Sequence, residues 1–203
     1  MVYLKIMHKV PRYLILGQAS FLFFAVICFV LEPRAFLENA PFSYYGTHRA
    51  TFIPYAIGIL CAVFCITKAA TIIRDKNDVI IRKALFSLAV LLVGILASPY
   101  SVNGYFFAAH IIVSILLLSV VLGVSSVIVF TRDRSAKSRL FYTCEILTVV
   151  ALVLSQGFVG ILHVHALAEL TISLLFIGHL NLTFEETSHA AIKDSRSTNR
   201  LQN

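Results

Sequence analysis

The sequence predicts an all-α integral membrane protein whose single domain, residues 1–203, is one antiparallel bundle of six transmembrane helices. Of the 203 residues, 59% are hydrophobic and only 13% are charged. A soluble domain of this length could not keep so much apolar surface away from water. Long apolar runs recur along the whole chain and leave no segment for a separate soluble domain.

The basic residues predict the orientation of the bundle. Fourteen of the seventeen Lys and Arg residues precede the first apolar run, follow the last one, or lie on every second connection between runs. Arg34 and Arg49 fall on the opposite side, and Lys68 lies inside a run. Because cytoplasmic connections carry such an excess, both termini are predicted to be cytoplasmic, in a cytoplasmic or plasma membrane. The net charge of +7 therefore reflects topology, and no nucleic-acid partner is expected.

The first three predicted spans cover about residues 13–31, 52–73 and 84–98. Span one is followed by an outer loop, residues 32–51, in which Pro33 and Pro41 are expected to break any helix. Span two carries Pro54 in its first turn, where the missing N–H has no helical partner to lose. Pro99 ends span three.

The last three predicted spans cover about residues 105–130, 140–156 and 161–184, and a cytoplasmic tail, residues 185–203, follows them. A tight turn with the sequence SPYSVNGY precedes span four, and Gly157 and Gly160 mark the turn before span six. The chain has no Trp, so Tyr is expected to form the interfacial belts. The tyrosines fall at predicted boundaries: Tyr44, Tyr45, Tyr55, Tyr100 and Tyr105 at the outer one, Tyr13 and Tyr142 at the inner one.

Small residues indicate where helices approach one another closely. Span two carries Gly58 and Ala62 one turn apart, and span four carries Gly123 among several serines. Small side chains let helix backbones come together in a bilayer, where no hydrophobic effect drives association. We therefore expect close helix contacts at these positions.

Polar residues gather at one predicted depth near the outer face. The apolar stretch GILHVHALAELTISLLFIGHL, residues 160–180, carries several of them, and such groups are expensive in hydrocarbon unless they are satisfied or used. His165 and Glu169 are four residues apart, so they share one helix face. The residues at this depth are His48, His110, Gln156, His163, His165 and Glu169.

Three interpretations of this outer cluster remain open. His110, His165 and Glu169 could hold zinc with an open position for activated water. A haem between His110 and His165 is disfavoured, because paired axial histidines in both leaflets are missing. Alternatively, His165 and Glu169 hydrogen-bond each other and the outer loop and so fix the helix packing.

A second polar pair is predicted near the cytoplasmic side. Lys68 lies in the last third of span two, and Glu145 lies in the second turn of span five, so both can reach the inner layer. Lys68 can instead extend its side chain to the interface unaided. His179 and Asn181, at the inner end of span six, are expected to be interfacial.

The outer loop carries a resemblance to a known group of proteins. The segment APFSYYGTHRATFIPYAIGILCAVF, residues 40–64, places a P-F-S-x-x-G-T element just outside span two. With the six-helix topology, this resembles the DRAM/Sfk-like membrane proteins and related bacterial six-helix families, in which an I-S-D-x-G motif precedes the second span. The matching positions are Phe42, Ser43, Tyr44, Tyr45 and Gly46, with Tyr44 where the family has an acidic residue. The resemblance implies a role in membrane lipid organisation or remodelling.

These observations lead to two hypotheses about function. The loop is apolar enough to pack over the bundle, with Gly46 expected to supply a turn of positive φ. Under it, an outward-facing pocket lined by Tyr44, Tyr45, His48, His110, Gln156, His165 and Glu169 would bind or organise a lipid or other amphiphile, with transport as an extension. The alternative is a metal-dependent, membrane-embedded hydrolase or lipid-modifying enzyme using the outer His/Glu cluster. Membrane lipids are the expected partners, and the sequence leaves a homo-oligomer or a membrane partner subunit open.

Overall fold

The structure is a computed structural model that describes residues 9–38, 40–75, 78–99, 104–157 and 165–201, with the backbone alone at 36, 155–157 and 186–201. All regular elements in these ranges are helical. The α-helices are α1 (Lys9–Leu31), α2 (Pro33–Leu37), α3 (Phe52–Ile72), α4 (Val79–Ala97), α5 (Gly104–Val127), α6 (Ala136–Gly157) and α7 (His165–Leu201). A 3₁₀ turn covers Phe42–Gly46, and a π-helical turn, Ile128–Arg132, continues α5.

Five helices are long and apolar enough to cross a membrane: α1, α3, α4, α5 with its π-helical turn, and the first part of α7 up to Glu185. An integral membrane protein is therefore supported. The remaining predicted span, span five, corresponds to α6, which has 22 residues but carries Lys137, Arg139 and Glu145. Its crossing of the membrane stays a prediction.

Several helices begin before the predicted spans, at Lys9, Val79 and Ala136, and two further differences have a physical reason. α7 has 37 residues and continues to Leu201, so residues 185–201 of the predicted tail are helical. Hydropathy marks where a chain leaves the bilayer, and this segment contains no Gly or Pro that would end a helix there. Pro33 was expected to break helices, yet it is the first residue of α2, a position that tolerates a missing N–H.

The described side chains form two apolar clusters that lie along the bundle. The first cluster lies at the end of the bundle that carries the basic connections, which we call the basic end. It joins the start of α1, the end of α3, the start of α4 and the end of α5 around Phe176 and Leu180 of α7. The other, the loop end, joins the 3₁₀ turn to α1 and α3 around Ala166 and Leu170. Helices α1, α3 and α7 contribute to both clusters, so these three helices run through the core of the described bundle.

Helices α1 and α3 pack closely against each other at two glycines. A Cβ on Gly17 would lie 2.8 Å from the Cβ of Cys65, and one on Gly58 would lie 2.9 Å from the Cβ of Phe24. The predicted close contact at Gly58 and Ala62 is therefore confirmed, since the Ala62 Cα is 3.6 Å from the Gly17 position. The prediction at Gly123 was wrong, because nothing lies within 4 Å of a Cβ there.

This difference between two glycines gives a test of the α1–α3 contact. Gly17→Ala is expected to lower the free energy of unfolding by about 1–3 kcal/mol, because the new methyl group must push α1 and α3 apart. Gly123→Ala has room and is expected to raise it by up to about 1 kcal/mol through better helix propensity. Unfolding in mixed micelles with increasing SDS measures both. Equal changes in the two variants would contradict the contact.

Candidate functional site

The outer loop is folded back on the loop end of the bundle. Phe42 and Tyr45, in the 3₁₀ turn, are buried, with their ring centroids 5.7 Å apart. The Phe42 ring lies 5.2 Å from that of Phe21 and 5.3 Å from that of Tyr55. The ring of Phe29 lies 5.4 Å from that of Tyr45. These five aromatic rings, which we call the aromatic cap, join the loop to α1 and α3.

Two of the predicted pocket residues pair with each other inside the loop. The rings of Tyr44 and His48 are stacked with centroids 4.0 Å apart. His48 Nδ1 lies 3.2 Å from the Thr47 hydroxyl and 3.3 Å from the Tyr44 carbonyl oxygen. Tyr45 behaves differently, because it is fully buried and its hydroxyl donates to the carbonyl of Glu32 at 3.4 Å. Tyr45 is therefore a core residue of the cap and does not line an open pocket.

Gly46 is required for space rather than for backbone conformation. The expected positive φ was wrong: φ at Gly46 lies outside the left-handed region. A Cβ at this position would lie 2.6 Å from the Tyr55 ring. The glycine therefore lets the loop backbone rest against the face of Tyr55.

Glu169 of α7 holds the loop against that helix. One carboxylate oxygen, Oε1, lies 3.3 Å from His165 Nε2, and the other, Oε2, accepts the backbone N–H of Phe42 at 2.6 Å. His165 is buried, whereas the Glu169 side chain is 32% exposed. A charged acceptor makes a hydrogen bond stronger than a neutral one does. The His165–Glu169 pair therefore holds the outer loop in place, which is the third of the interpretations given above for the outer cluster.

His110 belongs to a different contact. Its Nδ1 donates to the carbonyl oxygen of Ser98 at 2.8 Å, which joins α5 to the end of α4. Ser98 itself closes α4, because its N–H and its hydroxyl both bond to the carbonyl of Gly94. The predicted metal group His110, His165 and Glu169 is not assembled: no three His, Cys, Asp or Glu side chains of the described residues are arranged to hold a metal ion.

Two members of the predicted outer cluster lie beyond what the structure describes. Gln156 is in the last turn of α6, and its side chain is outside the described residues. His163 lies between α6 and α7, also outside them.

The bond between Glu169 and Phe42 leads to a prediction about the loop. Glu169→Ala is expected to speed tryptic cleavage at Arg34 and Arg49, which are exposed in the loop, by roughly tenfold or more. A charge-assisted hydrogen bond contributes about 1.5–3 kcal/mol, and its loss lets the loop open more often. Cleavage of the detergent-solubilised protein is followed by mass spectrometry. Glu38→Ala, at an exposed loop position, serves as the control and should cleave like the wild type.

A second polar group lies at the basic end, between α6 and α7. Ser138 and Glu145 are seven residues apart, so they share one face of α6. His179 of α7 places Nε2 2.7 Å from the Ser138 hydroxyl and Nδ1 3.3 Å from Glu145 Oε1. All three side chains are fully buried. We call them the inner array.

Apolar packing encloses the inner array. The Phe141 ring lies parallel to the His179 imidazole, with centroids 5.9 Å apart. Gly178 permits this approach, because a Cβ there would lie 2.9 Å from the Phe141 ring. Among the described residues, Glu145 Oε2 has no hydrogen-bond partner. The array therefore contains a buried carboxylate that is only half satisfied.

The inner array corrects two predictions. Glu145 pairs with His179 and not with Lys68, whose Nζ lies 5.5 Å from the centre of the Phe64 ring on an exposed face. His179 was expected to be interfacial, yet it is fully buried. A signal was present in the sequence: Glu145 lies five residues after the predicted start of span five, and His179 lies five residues before the predicted end of span six. In antiparallel neighbours these positions have the same depth.

An apolar groove of about 440 Å³ lies on the outer surface between α4 and α5. The lining residues are Phe86, Ser87, Val90, Leu91, Leu116 and Val120. Towards the loop end the two helices close together, where a Cβ on Gly94 would lie 3.1 Å from Val113. The His110–Ser98 bond lies beyond that contact and keeps the helix ends joined. The contact between Gly94 and Val113 therefore ends the groove on the side of the loop end.

Comparison with known proteins adds no assignment. No family model, no curated protein and no solved structure matches this chain. The resemblance of residues 40–64 to the DRAM/Sfk-like proteins stays a prediction made from the loop motif and the topology. Any function must therefore be argued from the contacts described above.

Proposed function

We propose that this protein is a six-helix, antiparallel membrane protein with cytoplasmic termini, which binds the acyl chain of a membrane lipid or other amphiphile in the groove between α4 and α5. Five apolar helices support the membrane assignment. A helix of 22 residues spans about 33 Å, so α6 is long enough to be the sixth. Lys137 and Arg139 lie in its first turn, at the basic end, and Glu145 has a partner on α7.

The lining of the groove is the observation that carries the lipid proposal. Most of the lining residues are exposed, including Val90, whose exposed fraction is 70%. Ser87 is the one polar residue in the lining. In a spanning helix pair, such a surface faces the acyl chains of the bilayer. The absence of charge from this lining favours a hydrocarbon chain over a headgroup.

The proposed site replaces the outward-facing pocket expected from the sequence. Phe42 and Tyr45 fill the space under the outer loop, and Glu169 bonds the loop to α7. The outer cluster therefore supports the cap, and the cap with the His110–Ser98 bond holds the loop end of the bundle rigid. The alternative of a metal-dependent enzyme gains no support, because His110 bonds to the Ser98 carbonyl and no group of three metal-ligating side chains is found among the described residues.

Photocrosslinking tests the proposal directly. The protein is reconstituted in vesicles that contain a phospholipid with a diazirine in its acyl chain, irradiated, digested and mapped by mass spectrometry. We expect the crosslinks to concentrate on α4 and α5, around Val90 and Leu116. The exposed outer face of α1, which includes Phe23 and Val26, is the internal comparison. Equal labelling of α1 and of the groove would refute a specific lipid site.

A further inference from the structure

We propose that the inner array of Ser138, His179 and Glu145 is a proton-binding site that holds a single exchangeable proton and is loaded from the basic end of the bundle. The proposal does not depend on the lipid groove, which lies between other helices. It starts from the Glu145 carboxylate, which is fully buried and has one oxygen, Oε2, without a hydrogen-bond partner among the described residues. Ionisable groups inside a membrane helix commonly mark proton or ion pathways.

The charge of the pair limits it to one proton. With the proton present, Glu145 and His179 form a carboxylate and an imidazolium, or a carboxylic acid and a neutral imidazole, and both forms have no net charge. Without it, a single negative charge is left in an apolar interior, which is expensive. Because Nδ1 of His179 lies 3.3 Å from Glu145 Oε1, the proton passes between the two groups without a further carrier.

The Glu145 carboxylate pairs with His179. The other ionisable groups on the elements around the array include Arg132, Asp133 and Arg134 at and after the π-helical turn, Lys137, Arg139, Tyr142 and Cys144 on α6, His165, Glu169 and Glu185 on α7, and Lys9, Arg12 and Tyr13 on α1. Arg132 bonds to Asp78, and Asp133 Oδ1 accepts the Ser135 N–H at 2.9 Å. Lys137, Arg139 and Glu185 are exposed. Within the described part of the chain, the hydrogen bond to the carboxylate comes from His179.

Ser138 supplies the route for the proton. It lies in the first turn of α6, and its hydroxyl is 2.7 Å from His179 Nε2. The neighbouring Ser135 is half-buried at the surface turn, and its hydroxyl accepts the Ser138 N–H at 3.1 Å. A hydroxyl can donate one proton while it accepts another. Ser138 is therefore the group through which a proton reaches the imidazole from the first turn of α6, whereas its contact with Ser135 is a backbone hydrogen bond that takes no part in the transfer.

The same three groups stand in the order found in serine hydrolases, but the surroundings favour a relay. In a hydrolase the serine must reach a substrate carbonyl, and backbone N–H groups must point at the developing oxyanion. Ser138 is fully buried, and its own N–H is bonded to Ser135. The Ser138 hydroxyl is therefore bonded to the His179 imidazole and is not placed to attack a bound ester.

The test measures protonation in the full chain, reconstituted in bilayers with ¹⁵N-labelled histidine. Nitrogen NMR as a function of pH should show one buried imidazole that gains and loses a proton, and His179→Gln should remove its signal. Infrared difference spectra should show a carboxyl change that disappears in Glu145→Gln. If that variant does not fold, Glu145→Asp keeps a carboxyl group and should keep the change. A His179 signal that is constant over the whole pH range would overturn the proposal.

Ser138→Ala separates the relay from a purely structural role. We expect it to keep the single titrating proton but to slow its exchange with solvent severalfold, as seen in the imidazole line widths. An unchanged exchange rate would refute the route through Ser138. Covalent labelling of Ser138 in the wild type by a fluorophosphonate would show an exposed nucleophile and would also overturn the proposal.

Discussion

Replacing Glu145 with alanine is expected to lower the free energy of unfolding by about 3–5 kcal/mol, a magnitude typical of breaking a buried charge pair. The change leaves His179 fully buried against Phe141 with no acceptor for its Nδ1 proton. Unfolding in mixed micelles measures the effect. Glu185→Ala, at an exposed position of α7, is the matched control and should change stability by less than about 0.5 kcal/mol.

A triple variant distinguishes a pairing effect from lost packing. Ser138→Ala, Glu145→Leu and His179→Leu together remove every polar member of the array and replace the volume with apolar groups. Removal of both partners of a buried pair is often close to neutral. The triple variant is therefore expected to be more stable than Glu145→Ala alone. If it is less stable, the array contributes through packing rather than through its hydrogen bonds.

Replacing Phe42 with alanine is expected to lower the free energy of unfolding by about 3–5 kcal/mol, the usual range for a buried Phe. Phe42 is at the centre of the aromatic cap, and its ring contacts rings from α1 and α3. Phe23→Ala is the matched control, because Phe23 is 62% exposed on α1, and it should cost less than about 1 kcal/mol. Equal losses in the two variants would contradict a cap that joins the loop to the bundle.

The same variant links the cap to the loop bond. Because Phe42 also donates its N–H to Glu169, the loss of the ring should loosen the loop as well. Tryptic cleavage at Arg49 is therefore expected to be faster in Phe42→Ala than in Phe23→Ala. Cleavage at the wild-type rate would show that the backbone bond holds the loop without the ring.

Much of the fold was predictable because hydropathy and charge act along the chain. Bilayer thickness sets the length of each apolar run, and the exclusion of charge from hydrocarbon sets where the run ends. The aromatic residues of the loop indicated an ordered segment for the same reason. The end of α7 was not predictable in this way, because a helix continues through polar sequence wherever nothing breaks it.

The partners of the polar residues were harder to predict because they depend on neighbours in space. His110 bonds to the backbone carbonyl of Ser98. Every residue has such a carbonyl, so the sequence does not indicate which one accepts the bond. Glu145 had two candidates at a similar depth, Lys68 and His179, and only the packing of α6 against α7 selects His179. The pairing of His165 with Glu169 was predictable, since four residues is one helical turn.

Native mass spectrometry of the protein released from bilayers shows whether a lipid is bound in the α4–α5 groove. Three proteins are compared: the wild type, Val90→Trp, which fills the groove, and Val26→Trp, which adds the same bulk to an exposed face of α1. The account predicts a stoichiometric lipid adduct on the wild type and on Val26→Trp, and its loss from Val90→Trp. A wild type that carries no lipid, or equal adducts on all three proteins, would contradict it.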